Sequence, residues 1–263
     1  NIPAPLSPSW SAHDKNTGEL VGEDGSGASA SALHAAWSSL TYGKIAGKET
    51  LIWGGTDGFC SGYPNKTEKD ADGYDLFMPS WKVDCNEPEY RIDKDGKKVP
   101  YATPPGPSEL IGTPVLYEEK VYVAIGQDPE HGDGVGRLSC IDAKNGEVVW
   151  KYTDVGRTIS TVSVHDDLVY VAEYAGLIHC LDANDGKLYW TYDSFSRIWG
   201  STLVAGGKVL LGNEDGDLLI LDHGKAEPKV ESVNMGAPVY SSPVYVNGTL
   251  YVATQTHLYA IGE

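Results

Sequence analysis

A chain of 263 residues with 16 Tyr, 7 Trp and 31 Gly, but only 2 Met and 3 Phe, has the composition of short strands joined by tight turns. Its net charge of −17 repels phosphate backbones and anionic bilayers, which excludes nucleic acid as a main partner and leaves basic proteins, cations and neutral sugars. No apolar run approaches the roughly 20 residues of a membrane span, and the longest, Val204 to Leu211, is broken by Gly206, Gly207 and Lys208.

The chain opens on Asn1 rather than Met, which predicts either a removed leader or a piece of a longer protein. After Pro3, Pro5 and Pro8, the stretch from Ser9 to Gly22 reads as a strand, an Asp14-x-x-Thr17-Gly18 turn and a second strand. Residues 23–33 are Gly, Ser, Ala and acids, a loop. His34, Trp37 and Ser39 then lead into two antiparallel strands about a Gly turn, reaching Gly55. A third strand opens at Asp57-Gly58-Phe59-Cys60. A polar insertion, 63–106, follows, in which Trp81 to Asp84 reads as the fourth strand. Pro104, Pro105 and Pro107 end it, since proline cannot join a ladder.

From residue 112 the chain repeats about every forty residues. First strands begin with small residues, at Thr113, Ser160, Ser201 and Ser242, and second strands start near Val121, Leu168, Lys208 and Thr249. Third and fourth strands form one motif, Leu138 to Trp150, which returns as Leu177 to Trp190. Asp142 maps to Asp182, Gly146 to Gly186 and Trp150 to Trp190. Worn copies stand at Leu218 to Asp222 and from Leu258 to the end. No segment reads as a helix.

Four-stranded antiparallel units at this period predict an all-β fold, a β-propeller. The strands are apolar on both faces, as in Leu168 to Val171, which suits a blade sandwiched between two others. Whole blades fall at about 34–84, 112–154, 158–194 and 198–234. A split remainder is left, 7–22 with 238–261, so that about five blades are present in a single domain. Either the two ends complete one blade and close a small ring, or the chain is part of an eight-blade ring; the second is the favoured expectation.

Three places carry candidate chemistry. Loops entering the first strands converge on the ring axis and bring His34, Trp37, Arg157, Arg197, Trp199 and Tyr240 to the channel entrance. Two Arg beside aromatics suit a small anionic or sugar ligand, whereas the bland alternative is that each Arg ties a blade to its neighbour. Asp70, Asp72 and Asp75 alternate around Gly73 as a Ca²⁺ loop requires, or form a solvated acidic loop. The 127–134 loop gathers Asp128, Glu130, His131 and Asp133 and suits Ca²⁺ or a substrate. Catalytic residues are not predicted: Gly-x-Ser-x-Gly, Cys-x-x-Cys and His-x-x-x-His are all missing. Cys140 and Cys180 occupy one repeat position and read as buried thiols, while Cys60 and Cys85 bracket the insertion and are either bridged or free. Asn65 and Asn247 open glycosylation sequons, meaningful only in a eukaryotic secretory setting.

The endings Asp-Ala-x-x-Gly-x-x-x-Trp at Asp142 to Trp150 and Asp182 to Trp190 resemble the tryptophan-docked repeats of the pyrroloquinoline-quinone (PQQ) propeller family. That family includes quinoprotein alcohol dehydrogenases and a propeller lipoprotein of outer-membrane protein assembly. The resemblance covers nearly the whole chain apart from 63–106. Ala12 to Gly18, Gly126 to Gly132, Arg157 to Thr161 and Asn234 to Gly236 are most similar to secreted PQQ-like repeat proteins of planctomycete-type bacteria. The resemblance implies seven or eight blades, a periplasmic or secreted location and, in the dehydrogenases, PQQ stacked on Trp and on a disulfide of adjacent Cys, over a Ca²⁺ held by Glu, Asn and Asp. This chain has no Cys-Cys pair and its Glu, Asn and Asp do not map onto that set, so PQQ is not expected. The expectation is a non-enzymatic protein-binding or scaffold module, a subunit of a larger assembly. The alternative is a quinoprotein-type alcohol or sugar oxidoreductase.

Overall fold

The computed structural model describes residues 4–132 and 134–262. Blade 1 is built from β3 (Thr41–Ile45), β4 (Lys48–Gly54), β5 (Phe59–Pro64) and β8 (Trp81–Asp84). Blade 2 comprises β9 (Val115–Tyr117), β10 (Lys120–Ala124), β11 (Leu138–Asp142) and β12 (Val148–Tyr152). Blade 3 comprises β13 (Ser163–His165), β14 (Leu168–Ala172), β15 (Leu177–Asp182) and β16 (Leu188–Asp193). Blade 4 comprises β17 (Leu203–Ala205), β18 (Lys208–Gly212), β19 (Asp217–Asp222) and β20 (Val230–Asn234). All four are antiparallel, blades 2 to 4 as simple meanders and blade 1 with an insertion between β5 and β8, and a three-stranded sheet follows of β21 (Val244–Val246), β22 (Thr249–Ala253) and β23 (Leu258–Ile261). The fold is an all-β propeller, with its sheets not closed into a ring.

The core lies between blades, and the period of two divides each strand between two of them. In β14, Val169 and Val171 pack toward blade 2, whereas Leu168, Tyr170 and Ala172 pack toward blade 4. In β10, Val121 and Val123 face blade 1, and Tyr122 and Ala124 face blade 3.

Two sequence features join the blades. Each motif tryptophan donates its indole N–H to a carbonyl in the next blade: Trp81 to Ala143 at 3.0 Å, Trp150 to Ala183 at 3.0 Å and Trp190 to Gly224 at 2.9 Å. The turn that receives Trp150 must be glycine at Gly186, where φ is +74° and a Cβ would stand 2.6 Å from the indole. Around the axis, the small residues before the first strands form a hydrogen-bonded ladder. Backbone N–H groups of Ser39, Thr113, Thr161 and Ser201 donate to the hydroxyls of Thr113, Thr161, Ser201 and Ser242 respectively. This is why the regular first strands start two or three residues later than the sequence pattern predicts. Thr161→Val leaves the Thr113 N–H without its acceptor and should cost about 1–3 kcal/mol in urea unfolding.

The two chain ends do not form one sheet. Strand β1 (Ser11–His13) pairs with β2 (Leu20–Asp24), and β2 pairs in parallel with β7 (Asp75–Phe77) of the insertion, itself in a hairpin with β6 (Glu68–Lys69). The reason is local packing: Trp10 sits 5.2 Å from Tyr63 and 5.3 Å from Phe77, and the buried Tyr63 hydroxyl donates to Asp24 at 3.1 Å. This sheet covers the blade 1 face that Trp53 and Tyr63 present.

The chain is also not helix-free. One turn of helix, α1 (Pro88–Arg91), begins at a proline, and Arg91 reaches back to Asp84. All four cysteines are free and buried. Burial raises the thiols of Cys60 and Cys85, the latter to about 12, so these groups stay protonated. Among the described residues, no helix is long and apolar enough to cross a membrane.

Candidate functional site

In an antiparallel meander, the loops between second and third strands and those between blades emerge on one face. These loops carry His34 and Trp37 before blade 1, Tyr101 and Glu109 after it, and the 125–137 loop from β10 to β11. Arg157, Arg197 with Trp199, and Tyr240 enter through the later inter-blade loops. The sequence-predicted channel entrance and the 127–134 loop are therefore parts of one site.

Its floor is Glu109. Residues 109 and 126 exchange two backbone hydrogen bonds, each 3.0 Å, which pull the glutamate under the loop and leave it fully buried. On its other side residue 126 must be glycine, because a Cβ there would stand 2.2 Å from the Thr158 carbonyl. The Tyr101 hydroxyl donates to Glu109 Oε1 at 3.1 Å and accepts from the Asp128 backbone N–H at 3.2 Å. Burial, assisted by the charge of Asp128, pushes the Glu109 carboxyl up to about 8, despite the Tyr101 hydrogen bond that lowers it.

Asp128 caps a single 3₁₀ turn, Pro129–His131, accepting from the Glu130 N–H at 2.8 Å, and that turn brings the half-exposed His131 beside His34. His34 Nδ1 lies 3.8 Å from both Glu109 Oε1 and Asp128 Oδ2, and His131 Nδ1 lies 3.6 Å from Asp128 Oδ1. The imidazole centroids are 4.6 Å apart, with Tyr101 stacked on His34 at 5.8 Å and Trp37 at 6.3 Å. Above this group opens a cleft of about 410 Å³, with Trp37, Ile111, Ile159 and Trp199 as apolar walls and Asp128 and Glu130 as its acidic side.

Beside the cleft, Arg157 and Arg197 flank one ring, Tyr174, at 4.5 and 5.5 Å. Arg157 also donates to the Gly132 carbonyl, and Arg197 lies 3.8 Å from Glu214. Tyr174, Trp199 and Tyr240 continue as an edge-to-face series, 5.1 and 5.7 Å apart.

Asp70, Asp72 and Asp75 are not brought to this face. Asp70 Oδ1 accepts the N–H groups of Asp72 and Tyr74 in the β6–β7 turn, and Asp75 pairs with Lys69 at 2.9 Å. Asp133 lies outside the described residues. Sequence reasoning left out Glu109 and Tyr101, which sit in and just beyond the polar insertion, and named His131 only as a loop member. The one signal for Glu109 is an acid between Ser108 and the apolar pair Leu110 and Ile111.

A family model described as outer membrane protein assembly factor BamB matches residues 81–174 and 134–262. Among solved structures, the fold is similar to BamB from Moraxella catarrhalis, with a TM-score of 0.67 and 15% identity over 94% of this chain and 64% of that one. It is also similar to a chain of the mitotic checkpoint complex (TM-score 0.62, 11% identity, 96% of this chain and 68% of that one). A third similar structure is the computationally designed Ika8 protein (TM-score 0.61, 10% identity, 95% and 64%). The chain thus spans 64% of the length of the BamB structure. No curated protein matches the sequence. With well over half of its residues matched by the family model, and with the tryptophan-docked blades described above, the chain belongs to the BamB-like family of PQQ-repeat propellers.

Proposed function

We propose that this propeller is a protein-binding module that works outside the cytoplasm as part of a larger assembly, and that its partner docks on the face where the cleft opens. The observation that supports this reading is the exposure of three aromatic side chains together on that face. Trp37 is 55% exposed, Tyr240 39% and Trp199 36%. Folded proteins seldom leave clustered aromatics in water without use, and Trp and Tyr are the residue types that anchor protein interfaces. Asp128 and Glu130 at the cleft, and a chain charge of −17, favour a partner segment with an apolar anchor flanked by Lys or Arg. The match to a family model described as outer membrane protein assembly factor BamB supports the extracytoplasmic setting.

A photo-crosslinking residue at Tyr240, in the protein expressed in its own host, tests the proposal. One dominant protein adduct is expected, and Trp37→Ala with Trp199→Ala should reduce it about tenfold or more, as loss of a hot spot does. The same adducts from a probe at Glu118, on the opposite face, would overturn the docking face. Ca²⁺-dependent alcohol oxidation with added PQQ would favour a quinoprotein oxidoreductase instead.

A further inference from the structure

The group beneath Trp37 has a chemistry that protein docking does not use. We infer that His34, Asp128 and His131, with the buried Glu109 behind His34, form a binding site for a divalent transition-metal ion of the zinc type, tying the loop before blade 1 to the upper loop of blade 2.

Three observations carry this. First, one nitrogen of each histidine and a carboxylate oxygen of Asp128 all lie within 4.8 Å of one another. Ligand atoms around a tetrahedral zinc ion, at their usual bond lengths, stand about 3.3 Å apart. The separations of 3.6 and 3.8 Å are too long for hydrogen bonds and close to that spacing, so small side-chain rotations complete the shell. Second, three polar atoms of the group are not used elsewhere. Nδ1 of His34, Nδ1 of His131 and Oε2 of Glu109 are buried and make no hydrogen bond among the described residues. Leaving such atoms unpaired is costly, and a cation held by the two imidazoles and Asp128 satisfies both nitrogens at once, with the Glu109 carboxyl close behind His34. Glu109 is fully buried, and its other oxygen, Oε1, faces His34 Nδ1 at 3.8 Å. Third, the ligands have supports: Tyr101 holds Glu109 by its hydroxyl and His34 by stacking, and Asp128 is fixed as a turn cap.

The donor set decides the ion. Ca²⁺ and Mg²⁺ take oxygen ligands, whereas two imidazoles with one or two carboxylates suit zinc and its first-row neighbours. A second His-Asp-His group, His165, Asp166 and His223, serves as the internal contrast. It lies on the opposite face, Asp166 is 72% exposed, and His223 Nδ1 is already bonded to the Tyr170 hydroxyl at 2.8 Å.

Cobalt(II) titrated into the EDTA-stripped full chain tests the site. Visible absorption that saturates at one ion per chain, and that zinc removes by displacement, is the expected result. His131→Ala, and separately Asp128→Asn, which keeps the side-chain shape, should each weaken binding by about tenfold or more. His165→Ala should leave it unchanged. Circular dichroism confirms that each variant is folded. No saturable spectrum, or equal affinity in both folded loop variants, or loss of binding in His165→Ala, overturns the assignment. The measurement reads the metal alone and is independent of whether a protein docks above it.

Discussion

Trp150→Ala should lower the stability of the folded chain by about 3–5 kcal/mol, as truncation of a buried aromatic does. The indole is only 9% exposed, lies between blades 2 and 3, and rests on Gly186 at a distance that leaves no room for a Cβ. Its N–H bond to the Ala183 carbonyl is lost too, yet that oxygen keeps the Tyr122 hydroxyl at 2.9 Å. The cost is therefore mainly that of the cavity and the lost packing, with no orphaned carbonyl added. Urea unfolding followed by circular dichroism gives the difference, with Trp199→Ala as the comparison, since that partly exposed ring should cost less than about 1 kcal/mol. A loss below 1 kcal/mol at Trp150 would mean that the docked tryptophans do not hold the blades together.

The second large effect is on pH. Glu109 ionises at about 8 in the folded chain against an ordinary value of 4.5, because burial disfavours its charged form. The native state therefore binds this proton more tightly than the unfolded chain does. The stabilisation is fully present below 4.5 and is lost as pH rises toward 8, by on the order of 5 kcal/mol if the whole shift is expressed. Unfolding in urea at a series of pH values across this window, with EDTA present, should show stability falling as pH rises. Glu109→Gln, which carries no charge to bury, should remove most of that slope and be the more stable form at the alkaline end. An unchanged slope in the variant would place the pH dependence elsewhere.

The repeat was readable because its hardware is local. Asp142, Gly146 and Trp150 recur with Asp182, Gly186 and Trp190 at one spacing, and each has a physical task within a turn or against the next blade. Trp37, Trp199 and Tyr240 were placed on one face by the same logic, since their position in the repeat determines which end of the strands they emerge from. What did not show was any arrangement made outside the repeat. The parallel pairing of β2 with β7 joins a loop-flanked strand to an insertion, and no periodicity encodes it. Glu109 is buried by a single pair of backbone bonds to Gly126, which turns an acid in a proline-rich stretch into the floor of a site. His34 and His131 are nearly a hundred residues apart, and only blade packing brings their rings together.

The ladder around the axis also governs where this architecture tolerates added length. Its successive steps join residues 40, 41 and 48 positions apart between the regular blades, but 74 apart between Ser39 and Thr113. The whole surplus is carried by the β6–β7 hairpin and the stretch around α1, which leave the ladder and return to it without displacing a rung. Growth at the rim is thereby uncoupled from the inner geometry. The β6–β7 hairpin is a natural port for grafting a foreign peptide or a reporter domain, whereas a one-residue slip between a rung and its first strand would turn every side chain of that strand to the opposite blade interface.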